Sequence, residues 1–394
     1  MHASARPRRS AALHLLLLFL SACAAPVALP PATTGTAVIL VAASATAATA
    51  TAATATPPAL PTPRPTTTAS PTATASPTAT ASPTATATAS PTATALPTAT
   101  PTPDPAVGLP CPDPAPIKPD YAAYTLTVDP WPTPDAAAAL PPLSLGNPLP
   151  TAGRNAGYPY GSDGSGRYLL HNGLDMADKD DALAVAPGDG EIVLARDDID
   201  ELFGWRCDWY GQVVVLRLDE RHDGQPVYIL FGHVRDVQVV EGQRVARGEP
   251  LAREGTAGVA TVAHLHLEVR VGANTFGATR NPLLWLEPWS GSGVIAGRLV
   301  DPDGRAWQGF TVTLIDGDGA LLNTFTYLDD PDHLIRPDPA LGENFVFGPV
   351  AEGRYTAFVE VQGEEYRRTV EVSDGQLTTL EIITAPYRTP TPTP

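Results

Sequence analysis

Apolar and polar residues alternate over short runs in two regions of the chain, and alternation with a period of two is typical of strands. The first region, from Leu170 to Val271, is strand-like throughout. The second follows Ser290-Gly-Ser-Gly293 and is divided by turn sequences such as Asp301-Pro-Asp-Gly304. Its runs are Val294 to Val300, Phe310 to Leu314, Tyr355 to Val361, Arg367 to Val372 and Leu377 to Thr384. The pattern predicts an all-β protein with a strand-rich core and a separate small β-sandwich.

The beginning of the chain has a different pattern. Arg6, Arg8 and Arg9 precede an apolar run, residues 11–20, which is too short to span a bilayer comfortably but suits the core of a signal peptide. Leu20-Ser-Ala-Cys23 resembles a bacterial lipobox, in which the cysteine is acylated. The alternative is an ordinary cleavage site with an incidental cysteine. We expect export and membrane attachment through a lipid on Cys23.

Residues 23–105 are dominated by Ala, Thr and Pro, with Ala-Ser-Pro-Thr-Ala-Thr repeats from Ala69 onward. Such a composition has few groups to bury, and its prolines favour extended conformations, so we expect a long disordered stalk. The predicted organisation is a lipoprotein signal peptide at 1–22, the stalk at 23–105, a strand-rich domain with a leading segment at 106–289, the β-sandwich at 290–386 and a disordered tail at 387–394.

Charge and cysteine content narrow the possible partners and the compartment. The formal net charge is -17, with 42 acidic and 25 basic residues, which argues against a nucleic-acid partner. Of the three cysteines, Cys111 and Cys207 remain once Cys23 is set aside. In an oxidising compartment these two could form a disulfide, and two separate thiols are the alternative.

Four of the eight histidines lie in apolar, strand-like sequence, where a buried polar group without a partner costs roughly 1 to 3 kcal/mol. In an extended strand His264 and His266 project from the same face, about 7 Å apart. Zinc binds imidazole nitrogen and carboxylate oxygen, and a catalytic zinc keeps three protein ligands with one position open. The candidates are His171, Asp175, His233, His264 and His266.

The order of motifs from about residue 148 to residue 286 resembles the lysostaphin/LytM-type zinc metallopeptidases, which cut peptide cross-links in bacterial cell walls. The motifs are His171-Asn-Gly-Leu-Asp175, Ala186-Pro-Gly-Asp-Gly190, Phe231-Gly-His233, His264-Leu-His-Leu-Glu268 and Asn281-Pro-Leu. The resemblance implies a twisted antiparallel β domain and one zinc ion held by His171, Asp175 and His266. It also implies that His233 and His264 line the cleft without being permanent ligands.

The sequence departs from the family pattern at a few positions. Phe231 stands where the family usually has Tyr, Ala263 where Pro is common, and Leu267 where Phe is usual. We interpret all three as packing positions. A longer loop at 197–210 could alter how substrate fits or block the cleft.

The C-terminal region resembles the carboxypeptidase regulatory-like, transthyretin-type modules, on Gly297-Arg-Leu-Val-Asp-Pro-Asp-Gly304 and Gly348-Pro-Val-Ala-Glu-Gly-Arg-Tyr355. That resemblance identifies a scaffold and not an activity. A spacer or binding module is therefore expected.

The resemblance implies a zinc metalloendopeptidase that hydrolyses peptidoglycan stems or cross-bridges outside the membrane. Histidine exchanges protons near neutral pH, so we expect His264 to act as general base and His233 to hold the water or the developing oxyanion, although the two roles could be reversed. For Glu268 we expect a structural role. The alternatives are a noncatalytic regulator that binds the wall or activates a wall amidase, and an adhesin whose metal only stabilises the fold. The complete five-residue set favours the enzyme; the sequence leaves the oligomeric state and the cleaved bond open.

Overall fold

Strands and loops make up nearly all of the described chain. A computed structural model describes residues 109–113, 126–150, 153–154, 158–178, 181–329 and 335–389, all within one unit that extends from Thr94 to Pro394. The prediction of an all-β fold is confirmed. The predicted signal peptide, Cys23 and the stalk lie outside the described residues. Within those residues, no helix is long and apolar enough to cross a membrane.

The N-terminal part of the fold is a large antiparallel sheet. Its eight strands are arranged in the order β1-β2-β9-β6-β5-β4-β7, with β10 paired to β9, while β3 and β8 form a separate two-stranded sheet. The strands are β1 (Gly153–Arg154), β2 (Leu174–Ala177), β3 (Leu183–Val185), β4 (Gly190–Asp197), β5 (Gln212–His222), β6 (Gln225–Val234), β7 (Arg244–Val245), β8 (Pro250–Arg253), β9 (Leu265–Val271) and β10 (Thr279–Arg280).

Alternation along β9 separates the apolar core from the polar face of the sheet. Leu265, Leu267 and Val269 pack into the main hydrophobic core. His266 and Glu268, between them, lie on the opposite face with Arg270 and are buried as well. The polar side chains of β9 are thus set into a strand that is buried along nearly its whole length.

The loop between β4 and β5 covers part of that polar face. Its Phe203 and Tyr210 pack on the sheet with Val213 and Val215. The carboxylate of Asp198 closes the loop by accepting hydrogen bonds from the backbone N–H groups of residues 209, 210 and 211 at 3.0, 2.9 and 2.8 Å. The predicted long loop is therefore an ordered part of the fold.

A disulfide joins Cys111 to Cys207, with 5.6 Å between their Cα atoms, which is one of the two alternatives that the sequence leaves open. It attaches the leading segment to the loop between β4 and β5. The backbone N–H of Leu202 also donates to the carbonyl of Leu109 at 3.1 Å. The leading segment and the loop are therefore held together both covalently and by hydrogen bonding.

The C-terminal part consists of two sheets that enclose a second hydrophobic core. One sheet has the order β14-β11-β17, with β11 and β17 parallel, and the other has the order β13-β12-β15-β16. The strands are β11 (Ser292–Val300), β12 (Thr311–Ile315), β13 (Leu321–Phe325), β14 (Phe345–Ala351), β15 (Gly353–Val361), β16 (Glu364–Val372) and β17 (Leu377–Ile383).

This C-terminal part packs directly against the large sheet. Val294, Ala296 and Val346 belong to the same hydrophobic core as Leu174 and Trp285. The β-sandwich and the large sheet therefore share buried apolar surface.

Two of the three departures from the family pattern lie at packing positions. Phe231 and Leu267 are fully buried in the main core. The interpretation is wrong for Ala263, which is exposed just before β9. Its exposure means that this position places no packing demand on the side chain.

Candidate metal centre

Three of the predicted site residues converge at the junction of β2 and β9. Asp175 and His266 are direct neighbours across the two strands, and His171 precedes β2. Asp175 Oδ1 lies 3.1 Å from His171 Nε2 and 3.0 Å from His266 Nδ1, and the two histidine nitrogens are 3.3 Å apart. The structure therefore brings together the three groups that the resemblance implies as ligands.

The outward nitrogen of each of these two histidines faces an acceptor. His171 Nδ1 lies 2.7 Å from the carbonyl oxygen of Tyr158, and His266 Nε2 lies 3.2 Å from Glu268 Oε1. Such acceptors fix the tautomer and the ring orientation of metal-binding histidines. With the outward nitrogen protonated, the lone pair of each ring points at the other two members of the triad.

His233 and His264 stand beside the triad. His264 Nε2 is 3.5 Å from Asp175 Oδ1, and the rings of His233 and His264 are 4.8 Å apart. Each Nδ1 faces a backbone carbonyl at 2.8 Å, that of Ala257 for His233 and that of Val262 for His264. In the neutral rings this leaves each Nε2 as a proton acceptor.

The backbone at His233 is unusual. Its φ of 61° lies in the left-handed region, which residues other than glycine rarely adopt. The backbone N–H of His233 donates to the carbonyl of Tyr210 at 2.9 Å and holds this conformation at the end of β6. Backbone conformations of this kind persist where the surroundings fix them, often at functional sites.

The donor set fits a zinc ion. With zinc–ligand bonds of about 2.0–2.1 Å and tetrahedral angles, ligand atoms lie about 3.3 Å apart. The three separations in the triad are 3.0 to 3.3 Å. Two imidazoles and a carboxylate leave the fourth position for water or substrate, as in catalytic zinc sites.

The electrostatics of the triad favour positive charge. Burial opposes ionisation of Asp175, but the charges and hydrogen bonds of His171 and His266 hold the pKa of its carboxyl well below the usual value. Burial also disfavours a charged His266, yet hydrogen bonds to Asp175 and Glu268 raise its pKa to about 9. A divalent cation would supply at this point the positive charge that the carboxylates attract.

The environment of His233 lowers the pKa of its ring, in contrast to that of His266. Burial, together with repulsion by His266 and His264, lowers the pKa of His233 to about 3. His233 is therefore neutral at physiological pH, and its Nε2 accepts hydrogen bonds.

The five residues line a cleft of about 660 Å³. Its walls are mainly apolar and aromatic, and Trp209 from the loop between β4 and β5 forms one side. The loop therefore lines the cleft and leaves this volume open. Further lining residues include Tyr158, Tyr168, Leu169, Val259 and Val262.

The sequence analysis missed two aromatic residues of this site. Tyr158 stacks on the ring of His171, with centroids 4.1 Å apart and planes 8° from parallel, in addition to its carbonyl contact. Trp209 was recognised only as part of the loop. The available signals were an aromatic residue close to a metal-ligand motif and another in the loop that is longer than the family pattern.

Comparisons with known proteins place part of the chain among peptidase-like sequences. Residues 169–278 match the model of peptidase family M23. An uncharacterized metalloprotease of Haemophilus influenzae is 30% identical over 130 residues, which are 33% of this chain and 24% of that protein. The peptidoglycan DD-endopeptidase ShyB of Vibrio cholerae is 29% identical over 107 residues, 27% of this chain and 22% of that protein. The chain thus spans less than a quarter of the length of these two relatives.

Among solved structures, the catalytic domain of the antimicrobial peptidase lysostaphin from Staphylococcus simulans covers 34% of this chain and 90% of its own length. The sequence identity is 23% and the TM-score 0.27. The match to the family model carries more weight, because it includes all five predicted site residues. Residues 169–278 of this chain are thus similar to a peptidase M23 domain.

Proposed function

We propose that this protein is a zinc-dependent endopeptidase that hydrolyses peptide bonds in bacterial cell-wall peptidoglycan. The observation that carries the proposal is the triad of His171, Asp175 and His266, whose donor atoms converge beside two further histidines in one cleft. The match to peptidase family M23 supports peptide hydrolysis, and the relative named as a peptidoglycan DD-endopeptidase supports the substrate.

In this proposal His171, Asp175 and His266 hold one zinc ion. Zinc at such a site acts as a Lewis acid and makes water nucleophilic near neutral pH. His264 Nε2 accepts the proton of the attacking water and returns it to the leaving amine, since this nitrogen is the one directed toward Asp175. The neighbouring His233 orients this water, because its Nδ1 donates to the carbonyl of Ala257 and its Nε2 accepts a hydrogen bond. The neutral ring has no second proton to donate to the oxyanion, so this proposal keeps only the water-orienting part of the expected role.

The proposed roles of the two cleft histidines are testable by substitution. His264→Ala and His233→Ala should each retain zinc, because neither belongs to the triad, and each should lose turnover by at least about 100-fold. Zinc analysis and peptide-release rates on the same preparations check both points. Activity retained in both variants would refute the assignment.

The N-terminal sequence supports a location for this activity. We propose that Cys23 carries a lipid anchor and that residues 23–105 act as a stalk, which lets a membrane-attached enzyme reach the cell wall. Incorporation of labelled palmitate, lost in Cys23→Ser, is the expected result. Unlabelled wild-type protein would contradict it.

Digestion of purified peptidoglycan with and without a chelator tests the proposed function. Released peptides identified by mass should appear with zinc present, disappear with the chelator and return when zinc is restored. Asp175→Ala is the matched inactive control. A folded wild-type chain that binds peptidoglycan but releases no peptide would favour a noncatalytic regulator.

A further inference from the structure

Glu268 lies directly behind the proposed metal ligand His266. Its side chain has no solvent exposure, and its Oε1 faces His266 Nε2 at 3.2 Å. Asn172 Nδ2 donates to the same oxygen at 2.9 Å, and the hydroxyl of Tyr210 donates to it as well. Arg270 Nε donates to Oε2 at 2.7 Å. The carboxylate is thus fixed on all sides by groups that are themselves buried.

Arg270 is in turn held in place by groups other than Glu268. Its guanidinium, which is also fully buried, donates to Asn274 Oδ1 at 2.9 Å, to the carbonyl of Phe203 at 3.3 Å and to the hydroxyl of Tyr210 at 3.0 Å. The network therefore connects the loop between β4 and β5 with strand β9. Among the described residues, Glu268 links this network to the triad through His266 Nε2, and the ring of Tyr210 also lies beside that of His266, with centroids 5.9 Å apart.

The two histidines of the triad differ in their outward partners. His171 donates to a neutral backbone carbonyl, whereas His266 faces a carboxylate. If the ring of His266 were turned by 180°, carbon atoms would face both Glu268 and Asp175. Only the orientation with Nε2 toward Glu268 places Nδ1 within 3.0 Å of Asp175.

We propose that Glu268 is a positioning residue for metal binding, which holds His266 in its ligating orientation and tautomer and increases the electron density on Nδ1. The proposal rests on the proposed function, because it requires that the triad binds zinc. It extends the expectation of a structural role for Glu268 to a specific contribution toward the metal.

A purely structural role for Glu268 does not explain why its carboxylate faces His266 Nε2. Burying a carboxylate with a guanidinium costs desolvation energy, and well-packed apolar residues of similar volume often stabilise a fold as well or better. The carboxylate at this position, however, does what an apolar side chain cannot, because it accepts the proton of His266 Nε2. Removal of an acceptor that hydrogen-bonds a metal-binding histidine typically lowers metal affinity by 10- to 100-fold.

The test combines two measurements on the full chain. The first is its affinity for Zn²⁺, obtained by competition with a chelating dye, and the second is the thermal unfolding of the metal-free protein, which shows whether each variant folds. Glu268→Gln should weaken zinc binding about 10- to 100-fold. Glu343→Gln is the control for replacing a buried acidic side chain by its amide, because Glu343 lies in the C-terminal part and outside the triad, and it should leave the zinc affinity unchanged.

Glu268→Gln leaves Arg270 buried without its carboxylate, so the variant could fail to fold. The double variant Glu268→Gln/Arg270→Met removes both charges and should fold while still binding zinc weakly. Wild-type zinc affinity in either folded variant would overturn the positioning role. Failure of both variants to fold, with or without zinc, would also overturn it, because the carboxylate would then serve the fold alone. Failure of the wild-type chain to bind zinc would instead refute the proposed function.

Discussion

At the scale of single residues, Gly173 allows the metal-binding loop to pack closely against His266. A Cβ atom at this position would lie 2.6 Å from His266 Cε1 and Nε2 and from the backbone oxygen of Leu267. Such contacts are too short, so either the ring or the strand must shift. Glycine is required here by the packing of the loop against β9.

We therefore predict that Gly173→Ala displaces His266 and weakens zinc binding by at least about tenfold, with a parallel loss of peptidase activity. Zinc competition and activity assays check this. Gly317→Ala is the control, because a Cβ there meets no atom within 4 Å. Equal zinc affinity in the two variants would contradict the packing argument.

The site residues themselves could be predicted from sequence, but their supporting contacts could not. His171, Asp175, His233, His264 and His266 lie in short motifs whose residue types are required by the chemistry. Three of the outward acceptors are backbone carbonyls, those of Tyr158, Ala257 and Val262. Any residue can supply a carbonyl, so these partners leave no trace in the sequence.

At the scale of elements, the sequence pattern located most strands of the C-terminal part but missed two of them. The runs starting at Val294, Tyr355 and Leu377 correspond to β11, β15 and β17. The sequence analysis did not predict β13 or β14. β14 begins with three consecutive buried residues, and β13 begins with three exposed ones, so neither alternates cleanly.

The loop between β4 and β5 depends on its disulfide. Removing a disulfide that closes a long loop costs about 2 to 4 kcal/mol, and the two cysteines are 96 residues apart. We predict that Cys111→Ser/Cys207→Ser lowers the free energy of unfolding by about this amount and raises KM, because Trp209 forms a wall of the cleft. Zinc affinity should be unchanged.

Denaturant unfolding and steady-state kinetics, each with and without reductant, check this prediction. Reductant should affect the wild-type protein in the same direction as the substitutions and should leave the double serine variant unaffected. A wild-type unfolding midpoint that does not respond to full reduction would contradict it.

At the scale of the whole molecule, the two parts meet through a buried polar cluster around Glu343. Its Oε1 accepts a hydrogen bond from Tyr327 at 3.3 Å, and Tyr327 accepts one from Asn281 at 2.9 Å and packs on Tyr160. Burial, with a further contribution from the charge of Asp338, raises the pKa of Glu343 from 4.5 to about 8. The folded protein therefore keeps a proton on this carboxyl at neutral pH.

This raised pKa makes stability depend on pH in a defined direction. Between pH 4.5 and about 8 the folded state binds a proton that the unfolded state has lost, so the free energy of unfolding falls as pH rises, by at most about 1.4 kcal/mol per pH unit. We predict that Glu343→Gln, which is neutral at every pH, removes this part of the slope. Urea unfolding at several pH values checks it, and parallel curves for the two proteins would contradict it.

The central claim is that His171, Asp175 and His266 together hold one zinc ion. The most direct measurement is the zinc content per chain of the purified wild-type protein, of Asp175→Ala and of His264→Ala, after equal exposure to zinc and removal of the unbound metal. The account predicts one zinc ion per chain in the wild type and in His264→Ala, and none in Asp175→Ala. A wild-type chain without zinc, or an Asp175→Ala chain with as much zinc as the wild type, would contradict it.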